Sequence, residues 1–331
     1  MAASSRSSIM RWLPGTLILA VLFWLALRGV EWRRFSDILR QAEPAWILVA
    51  VVLQLGTYVS AAGVLHRGIA ASGVRRSLLS LVPLGLAKLF IDQVVPTGGL
   101  GGTLLVVKAL VRRRVSRGVA TAAVVVNMLS FYAAYAIAVL AALGFIWLGH
   151  KFHPWILILL TLFAVYATAM PVLILWIVYG SPRSRPAWLH KVRGLDAALG
   201  AIEEAPSSTL RHPLLFLESI VLQVAIVVLD AVTLDVLLRA TGHPTPFPVV
   251  YTSFVLASIA ATLSLLPGGV GTFEAGSVAA LHYFGVPLEV ALTATLLVRG
   301  FTLWLPLIPG VWFARHEMLG APSPATEPDA P

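Results

Sequence analysis

Long apolar runs separated by short polar segments dominate the pattern of this chain. A helix that crosses a membrane needs about 17 to 25 predominantly apolar residues. Six runs reach that length, and we predict full spans at 12–28, 44–65, 117–147, 154–179, 213–239 and 287–312. The pattern therefore predicts an all-α, polytopic integral membrane protein in which residues 1–319 form a single membrane domain.

Two further apolar segments are each interrupted by a proline followed by glycines. The interruptions read Val95-Pro96-Thr97-Gly98-Gly99-Leu100-Gly101 and Leu266-Pro267-Gly268-Gly269-Val270-Gly271. They divide the segments into paired shorter helices, 77–94 with 103–111 and 249–266 with 272–284. Because hydrocarbon cannot satisfy unpaired backbone groups, such breaks occur where protein or water replaces lipid. The pattern predicts two re-entrant hairpins whose tips meet inside the membrane, with eight to ten full crossings as the alternative.

The segments that follow the two breaks also match each other. Val115-Ser116-Arg117-Gly118-Val119-Ala120 corresponds to Val286-Pro287-Leu288-Glu289-Val290-Ala291. We infer an internal repeat, in which residues 44–147 and residues 213–312 each form a span, a broken hairpin and a second span. Paired discontinuous helices are a recurrent plan for secondary transporters, which bind their substrate near the bilayer midplane.

Composition excludes a soluble domain and several kinds of chemistry. Hydrophobic residues make up 58% of the chain and charged residues 12%, and the mean hydropathy is +0.88; a soluble domain carries about 25% charged residues. The chain has no cysteine, and its eight histidines lack the spacing of metal ligands, so we predict no metal site. It also lacks a Walker-type phosphate-binding loop, and we predict no cofactor and no nucleic-acid partner.

Basic residues indicate how the chain is oriented. If the hairpins are re-entrant, most of the basic residues outside the membrane fall on one side: Arg6, Arg11, Arg67, Arg75, Arg76, Lys108, Arg112, Arg113, Arg114, Arg117, Arg183, Arg185, Lys191, Arg193, Arg211 and Arg315. By the positive-inside rule this side is cytoplasmic, and both chain termini lie there. The first hairpin then enters from the cytoplasm and the second from outside, so the two repeats are inverted.

Three remaining segments are assigned by pattern. Residues 180–212 repeat apolar positions at helical spacing after a basic start, which is typical of an amphipathic helix at a membrane surface. Residues 320–331 are rich in proline and are predicted to be disordered. The first apolar run, at 12–28, has the charge pattern of a signal peptide but no small-residue cleavage motif, so we expect it to be a retained span.

One ionisable pair is predicted beside the second break. A charged side chain at the centre of a membrane helix costs about 2.5 to 3.5 kcal/mol on translocon scales and needs a partner or a wet cavity. Arg299 lies inside the last predicted span, and Glu274 lies in the first turn after Gly271. We predict that Glu274 pairs with Arg299, with Asp230 and Asp235 as alternative partners. The pair either binds substrate or only fixes the hairpin.

A second ionisable pair is predicted beside the first break. Lys88 and Asp92 are four residues apart and share a helix face. They either pair locally, or Lys88 offers its ammonium group to a phosphate. The N-terminus of a half-helix after a glycine loop also suits an anionic group. The candidate binding residues are therefore Lys88, Asp92, Gly98, Gly99, Gly101, Asp230, Gly268, Gly269, Gly271, Glu274 and Arg299.

The C-terminal motifs resemble those of a known family. They are Leu266-Pro267-Gly268-Gly269-Val270-Gly271-Thr272-Phe273-Glu274-Ala275, then Phe284-Gly285-Val286-Pro287, Ala294 to Arg299, and Trp304-Leu305-Pro306. They resemble the signature of the lysylphosphatidylglycerol synthase transmembrane family, which also forms the flippase domain of the multiple peptide resistance factor. The resemblance extends over residues 12–315. In the first half, Thr103-Leu104-Leu105 stands where the family tends to carry a polar or acidic residue.

The resemblance implies a function in moving phospholipid between leaflets of the bacterial inner membrane. The aminoacyl-transferase domain of the full-length synthases does not follow the membrane helices, so we expect no enzymatic activity. Our first hypothesis is a lipid translocase that holds an anionic or phosphate-bearing headgroup with Lys88, Arg299 and glycine N–H groups. The alternatives are an enzyme that modifies a lipid headgroup, with Glu274 as general base assisted by Asp230, and a scaffold that contacts partners through a cytoplasmic helix at 187–205.

Overall fold

The computed structural model describes residues 43–74, 76–94, 100–149, 153–179, 212–264 and 266–319. Four predictions lie outside these residues: the span at 12–28, the role of Gly98 and Gly99, the linker helix within 180–211, and the tail at 320–331. The described part is helical and contains no strand. The prediction of an all-α protein is confirmed.

The described residues form ten α-helices. They are α1 (Pro44–Ala70), α2 (Val82–Val94), α3 (Leu100–Arg112), α4 (Arg117–Leu148), α5 (Pro154–Tyr179), α6 (Pro213–Ala240), α7 (Phe247–Leu263), α8 (Thr272–Tyr283), α9 (Leu288–Arg299) and α10 (Leu305–Leu319). Short 3₁₀ turns at Leu79–Leu81 and Pro267–Gly269 precede α2 and α8. A π turn, Gly300–Trp304, joins α9 to α10.

Five helical segments of the described chain are long and apolar enough to cross a membrane. They are Pro44–Ala70, Arg117–Leu148, Pro154–Trp176, Pro213–Ala240 and Leu288–Arg315. Large apolar side chains on their outer faces are exposed in the isolated chain, for example Leu48 at 65% and Ile158 at 61%. Such faces are suited to lipid, since a soluble protein rarely leaves extended apolar surfaces uncovered. The polytopic membrane architecture is thereby confirmed.

Helix starts follow local sequence signals. Proline occupies the first position of α1, α5 and α6, where a backbone N–H would have no acceptor within the helix. Ser116 caps α4, and its hydroxyl accepts a 3.4 Å hydrogen bond from the backbone N–H of Val119. These signals begin the long helices close to the predicted positions.

The two broken segments form helical hairpins. Helices α2 and α3 have 13 residues each, and at 1.5 Å per residue each measures about 20 Å, less than the ~30 Å hydrocarbon core. The guanidinium of Arg113, just after α3, donates a 2.8 Å hydrogen bond to the carbonyl of Ser80, just before α2. Both ends of this hairpin therefore lie together. Helices α7 and α8 also pack against each other and form the second hairpin.

Helices α1 and α6, which begin the two repeats, pack against each other along their length. A Cβ atom on Gly56 would lie 3.3 Å from Leu229, and one on Gly63 would lie 3.2 Å from Leu222. As the residue number rises along α1 it falls along α6, so the two helices are antiparallel. Antiparallel packing of corresponding helices is what an inverted repeat requires.

The second break contacts the first helix of the first hairpin. The Pro267–Gly269 turn contacts α2, and Val270 packs in one apolar cluster with Ala87 and Phe90 of that helix. Helix α10 lies along α2 as well, where a Cβ atom on Gly310 would come within 2.7 Å of the Cβ of Phe90. The second break is therefore enclosed by the first hairpin and by the last helix.

Two boundaries differ from those predicted. Helix α3 begins at Leu100 rather than at 103, so Gly101 and Gly102 belong to its first turn and not to the loop. The last span, predicted as one helix over 287–312, contains the π turn immediately after Arg299. Such turns widen the helix by one residue and are frequent at functional sites.

Candidate functional site at the hairpin breaks

Three glycines give the second break its shape. Gly268, Gly269 and Gly271 have φ angles of 60°, 59° and 84°, in the left-handed region that glycine adopts without steric cost. At Gly269 a Cβ atom would also press on Ala261, whose Cα would be 3.0 Å away. The glycines are thus needed for the turn itself and for its close contact with α7.

Arg299 fixes this break from the end of α9. Its Nε donates a 2.8 Å hydrogen bond to Oε1 of Glu274, and one of its terminal nitrogens donates a 2.6 Å hydrogen bond to the carbonyl of Gly268. The predicted pairing with Glu274 is present. The contact with Gly268 shows that the same guanidinium also satisfies a backbone carbonyl that the break removes from helical hydrogen bonding.

Glu274 completes the arrangement at the start of α8. Its Oε2 accepts a 2.7 Å hydrogen bond from the backbone N–H of Gly271. A carboxylate at this position neutralises the positive end of the helix dipole. The carboxylate therefore joins the half-helix to Arg299, and the N–H of Gly271 is already occupied in this state.

The ion pair between Glu274 and Arg299 is mostly shielded from solvent, so breaking it is costly. The side chain of Arg299 is 9% exposed and that of Glu274 is 21% exposed. The guanidinium carbon also lies 4.9 Å from the ring centroid of Phe273, in cation–π range. A buried charge whose partner is removed typically costs about 3 to 5 kcal/mol. We call the group formed by Gly268, Gly271, Glu274 and Arg299 the latch.

The first break carries a related arrangement. Lys88 donates a 2.7 Å hydrogen bond to Oδ2 of Asp92, and Oδ1 of Asp92 accepts a 3.0 Å hydrogen bond from the backbone N–H of Gly102. The local pairing that the sequence allowed is thus present, and it extends to the first turn of α3. A Cβ atom on Gly102 would lie 2.8 Å from the carbonyl oxygen of Lys88, so the helices touch here.

The two bases differ in accessibility. The side chain of Lys88 is 23% exposed, whereas that of Arg299 is 9% exposed. An ammonium group carries three donors, and within the described chain Asp92 is the ion-pair partner of Lys88. Lys88 is therefore better placed than Arg299 to bind an additional anionic group without losing its present contact.

Asp230 and Asp235 do not pair with Arg299, so both alternatives for its partner were wrong. Asp235 forms a 2.8 Å ion pair with Arg239, one turn further along α6. Asp230 accepts a 3.2 Å hydrogen bond from the hydroxyl of Thr57 on α1. The packing of α6 against α1 places Asp230 at that interface.

The sequence analysis missed the polar residues around Asp230. Gln54 lies beside its carboxylate, and Tyr58 donates a 3.1 Å hydrogen bond to the carbonyl of Phe301 in the π turn. Gln54, Thr57 and Tyr58 follow at i, i+3 and i+4, so they form a polar stripe on one face of an apolar span. This spacing is visible in the sequence and could have indicated a polar site on α1.

A surface crevice lies where the end of α1 meets the start of α6. Its volume is about 220 Å³, and its lining includes Arg67, His212 and Glu218 at the end of α1 and the start of α6. Arg67 and Glu218 form a 3.5 Å ion pair there. The crevice is at helix ends, so none of the predicted binding residues lines it.

Comparison with known proteins supplies the family. The model of the lysylphosphatidylglycerol synthase TM region matches residues 12–310. A UPF0104 membrane protein of Methanothermobacter thermautotrophicus is 24% identical over 296 residues, which cover 83% of this chain and 86% of that protein. The match covers the described helices from α1 to α9 and both hairpin breaks. The chain therefore belongs to the family defined by the transmembrane region of lysylphosphatidylglycerol synthase.

Proposed function

We propose that the protein moves phospholipids between the leaflets of a membrane by binding the headgroup phosphate between its two hairpins. The observation that supports this most directly is the contact between the second break and α2. It places the second break, which Arg299 contacts, against the helix that carries Lys88. Half-helix N-termini and basic side chains are suited to phosphate.

Lys88 is the proposed headgroup ligand. It is the more accessible of the two bases, and it lies one helical turn before Asp92, which contacts the start of α3. A phosphate at this position would face the ammonium group of Lys88, while Asp92 keeps its hydrogen bond with the N–H of Gly102 at the start of α3. Arg299 would act differently, by holding the second hairpin in the shape that closes the site.

The inverted arrangement offers a route for alternating access. Antiparallel repeats that meet at broken helices present equivalent surfaces to opposite sides when one repeat rocks against the other. The acyl chains would remain in lipid while the headgroup passes between the hairpins. No bond of the lipid is made or broken in this proposal. We place the protein in the bacterial cytoplasmic membrane, with both termini on the cytoplasmic side.

Lipid exchange in proteoliposomes tests this function. Fluorescent anionic and zwitterionic phospholipids are followed between leaflets for the wild type, Lys88→Gln and the matched control Lys108→Gln, whose residue lies exposed on α3. We expect exchange above that of liposomes containing an unrelated helical membrane protein. It should fall about tenfold or more in Lys88→Gln, since a charge-assisted hydrogen bond contributes about 1.5 to 3 kcal/mol, and stay unchanged in Lys108→Gln.

Two outcomes would contradict the proposal. Absence of exchange for both lipid classes would exclude phospholipid translocation, and equal loss in both variants would exclude a specific role of Lys88. Mass spectrometry of the recovered lipid gives a further check. A chemically altered headgroup would favour the alternative of a lipid-modifying enzyme.

A further inference from the structure

Asp230 is a carboxylate inside the membrane domain with no basic partner among the described residues. The other described carboxylates within the helical bundle differ in this respect, since Asp92, Asp235 and Glu274 each form an ion pair. Thr57, which donates a hydrogen bond to Asp230, lies at the middle of the helix Pro44–Ala70. The carboxylate is thus near the centre of a spanning helix pair, where an isolated negative charge is most costly.

A second, independent observation concerns Gln54. Its side chain lies beside Asp230, and the residue is 2% exposed. Its Oε1 atom is buried and accepts no hydrogen bond from any described residue. A buried acceptor without a donor costs about 1 to 3 kcal/mol. The cluster of Gln54, Thr57 and Asp230 therefore contains more acceptors than donors.

Binding of one proton would remove the unpaired charge of Asp230 and supply a donor for the amide oxygen of Gln54. A proton on Asp230 removes its charge and converts one carboxylate oxygen into a hydroxyl donor. That donor can be shared with the amide oxygen of Gln54, while the hydroxyl of Thr57 continues to donate to the other oxygen. A metal cation fits less well, because the side-chain oxygens gathered here come from only three residues, and hard cations take about six oxygen ligands.

We propose that Asp230 is a proton-binding site that couples lipid movement to a proton gradient. The carboxylate takes up one proton from water on one side of the membrane when the repeats open to that side, and the neutral acid releases it on the other side. No oxidation and no other co-reactant is involved. This inference depends on the proposed function only for what the proton drives, since proton binding itself can be measured separately.

A direct structural connection joins this site to the latch. Tyr58 is adjacent to Thr57 on α1, and its hydroxyl donates to the carbonyl of Phe301. Phe301 belongs to the π turn that begins directly after Arg299. A shift of α1 against α6 on protonation would therefore act on the turn that carries the latch arginine. Asp230 also lies at the interface of α1 and α6, the first helices of the two repeats.

The surroundings of Asp230 contain few other groups that titrate. Tyr58 faces it from α1 and Tyr135 from α4. Tyr251 on α7 lies beside Tyr135 rather than beside the carboxylate. Helix α9, which also packs against α6, places no titratable neighbour next to Asp230 within the described residues. A proton bound in this cluster is therefore assigned to Asp230.

Infrared spectroscopy tests proton binding without any lipid assay. The full chain is acidified in detergent, and the carbonyl band of a protonated carboxyl group is compared for the wild type, Asp230→Asn and the matched control Asp235→Asn on the same helix. Exposed carboxyl groups also protonate in acid, so we expect a separate band from a carboxyl group shielded from water that is lost in Asp230→Asn and retained in Asp235→Asn. Asparagine has nearly the same shape as aspartate and keeps an acceptor for Thr57. An unchanged spectrum in Asp230→Asn would overturn the assignment.

Lipid exchange under an imposed pH gradient tests the coupling. We expect net movement of the fluorescent lipid in the wild type to reverse with the direction of the gradient. Asp230→Asn should lose this reversal, and Asp230→Glu, which keeps a titrating group, should retain it. A gradient response that persists in Asp230→Asn, or a response to sodium at constant pH, would overturn proton coupling. If the wild type moves no lipid, the proposed function fails while the infrared result still decides proton binding.

Discussion

The backbone N–H of Gly102 donates a 3.0 Å hydrogen bond to the carboxylate of Asp92 across the first hairpin break. The second break has an equivalent bond, 2.7 Å long, from Gly271 to Glu274. In both cases the other carboxylate oxygen faces a basic side chain. Each hairpin therefore places a carboxylate at the positive end of its second half-helix and a base beside it, so the charges balance inside the membrane.

The contact at Gly102 predicts a large effect from a single methyl group. In Gly102→Ala the new Cβ would meet the carboxylate of Asp92 and lie 2.8 Å from the carbonyl oxygen of Lys88. Because a backbone atom is involved, α2 and α3 must separate, and we expect a loss of about 1 to 3 kcal/mol in the free energy of unfolding. Unfolding in mixed micelles measures this loss.

Gly144→Ala is the matched control for that experiment. Gly144 lies in α4, and a Cβ atom there would meet no atom within 4 Å. Alanine is the better helix former by about 1 kcal/mol, so this variant should be as stable as the wild type or more stable. Equal destabilisation by both substitutions would show that the first hairpin is not closely packed at Gly102.

The sequence predicted the Glu274–Arg299 pair because an isolated charge in a membrane helix is costly and few carboxylates were within reach. It did not exclude Asp230 and Asp235 as alternative partners. The choice depends on the rotation of α6 against α1, which is set by packing contacts such as Gly56 with Leu229. Local patterns do not contain that information.

Other features depended on contacts between distant segments. The helix start at Leu100 was missed because two glycines in the first turn have low helix propensity, whereas the hydrogen bond to Asp92 stabilises that turn. The π turn after Arg299 has no periodic signature in an apolar run. By contrast, the polar spacing of Gln54, Thr57 and Tyr58 was visible in the sequence, and its meaning depended on finding Asp230 opposite it.

A double-mutant cycle tests the strength of the latch. Arg299→Met leaves the carboxylate of Glu274 and the carbonyl of Gly268 without their donor, and we expect a loss of about 3 to 5 kcal/mol. Adding Glu274→Gln removes the uncompensated charge and should recover part of this loss. The measured quantity is the coupling free energy from unfolding in mixed micelles.

The pair formed by Asp235 and Arg239 is the control for the cycle. Arg239 is 41% exposed in its side chain, so solvent screens the interaction. The same substitutions there should give a clearly smaller coupling free energy. Coupling of similar size in both pairs would mean that burial does not strengthen the latch.

At Gly269, the cost of steric contact with α7 can be measured separately from the cost of the positive φ angle. Gly269→Ala places a side chain at a φ of +59° and against Ala261, whereas Gly242→Ala places one at a φ of +72° with no atom within 4 Å. Both substitutions cost about 1 to 2 kcal/mol for the left-handed conformation. We expect Gly269→Ala to cost a further 1 to 3 kcal/mol, roughly, from overpacking against α7. Equal unfolding free energies would contradict the close contact.

The inverted arrangement predicts which side of the membrane each hairpin opens to. Ser80 is exposed at the base of the first hairpin, and Glu289 is exposed in the first turn of α9, just after the second. The chain has no cysteine, so single Ser80→Cys and Glu289→Cys variants provide unique labelling sites. In sealed vesicles of one orientation, a membrane-impermeant maleimide should label only one of the two, and permeabilised vesicles should label both.

The labelling distinguishes the inverted repeat from a parallel one. Antiparallel packing of α1 against α6 places the bases of the hairpins at opposite ends of this helix pair, so the two cysteines should react from opposite sides. A parallel repeat would place both on the same side. Arg113→Cys is the internal control, because Arg113 contacts Ser80 and should be labelled from the same side as Ser80→Cys. Labelling of all three from one side would contradict the inverted arrangement and, with it, the proposed route for the headgroup.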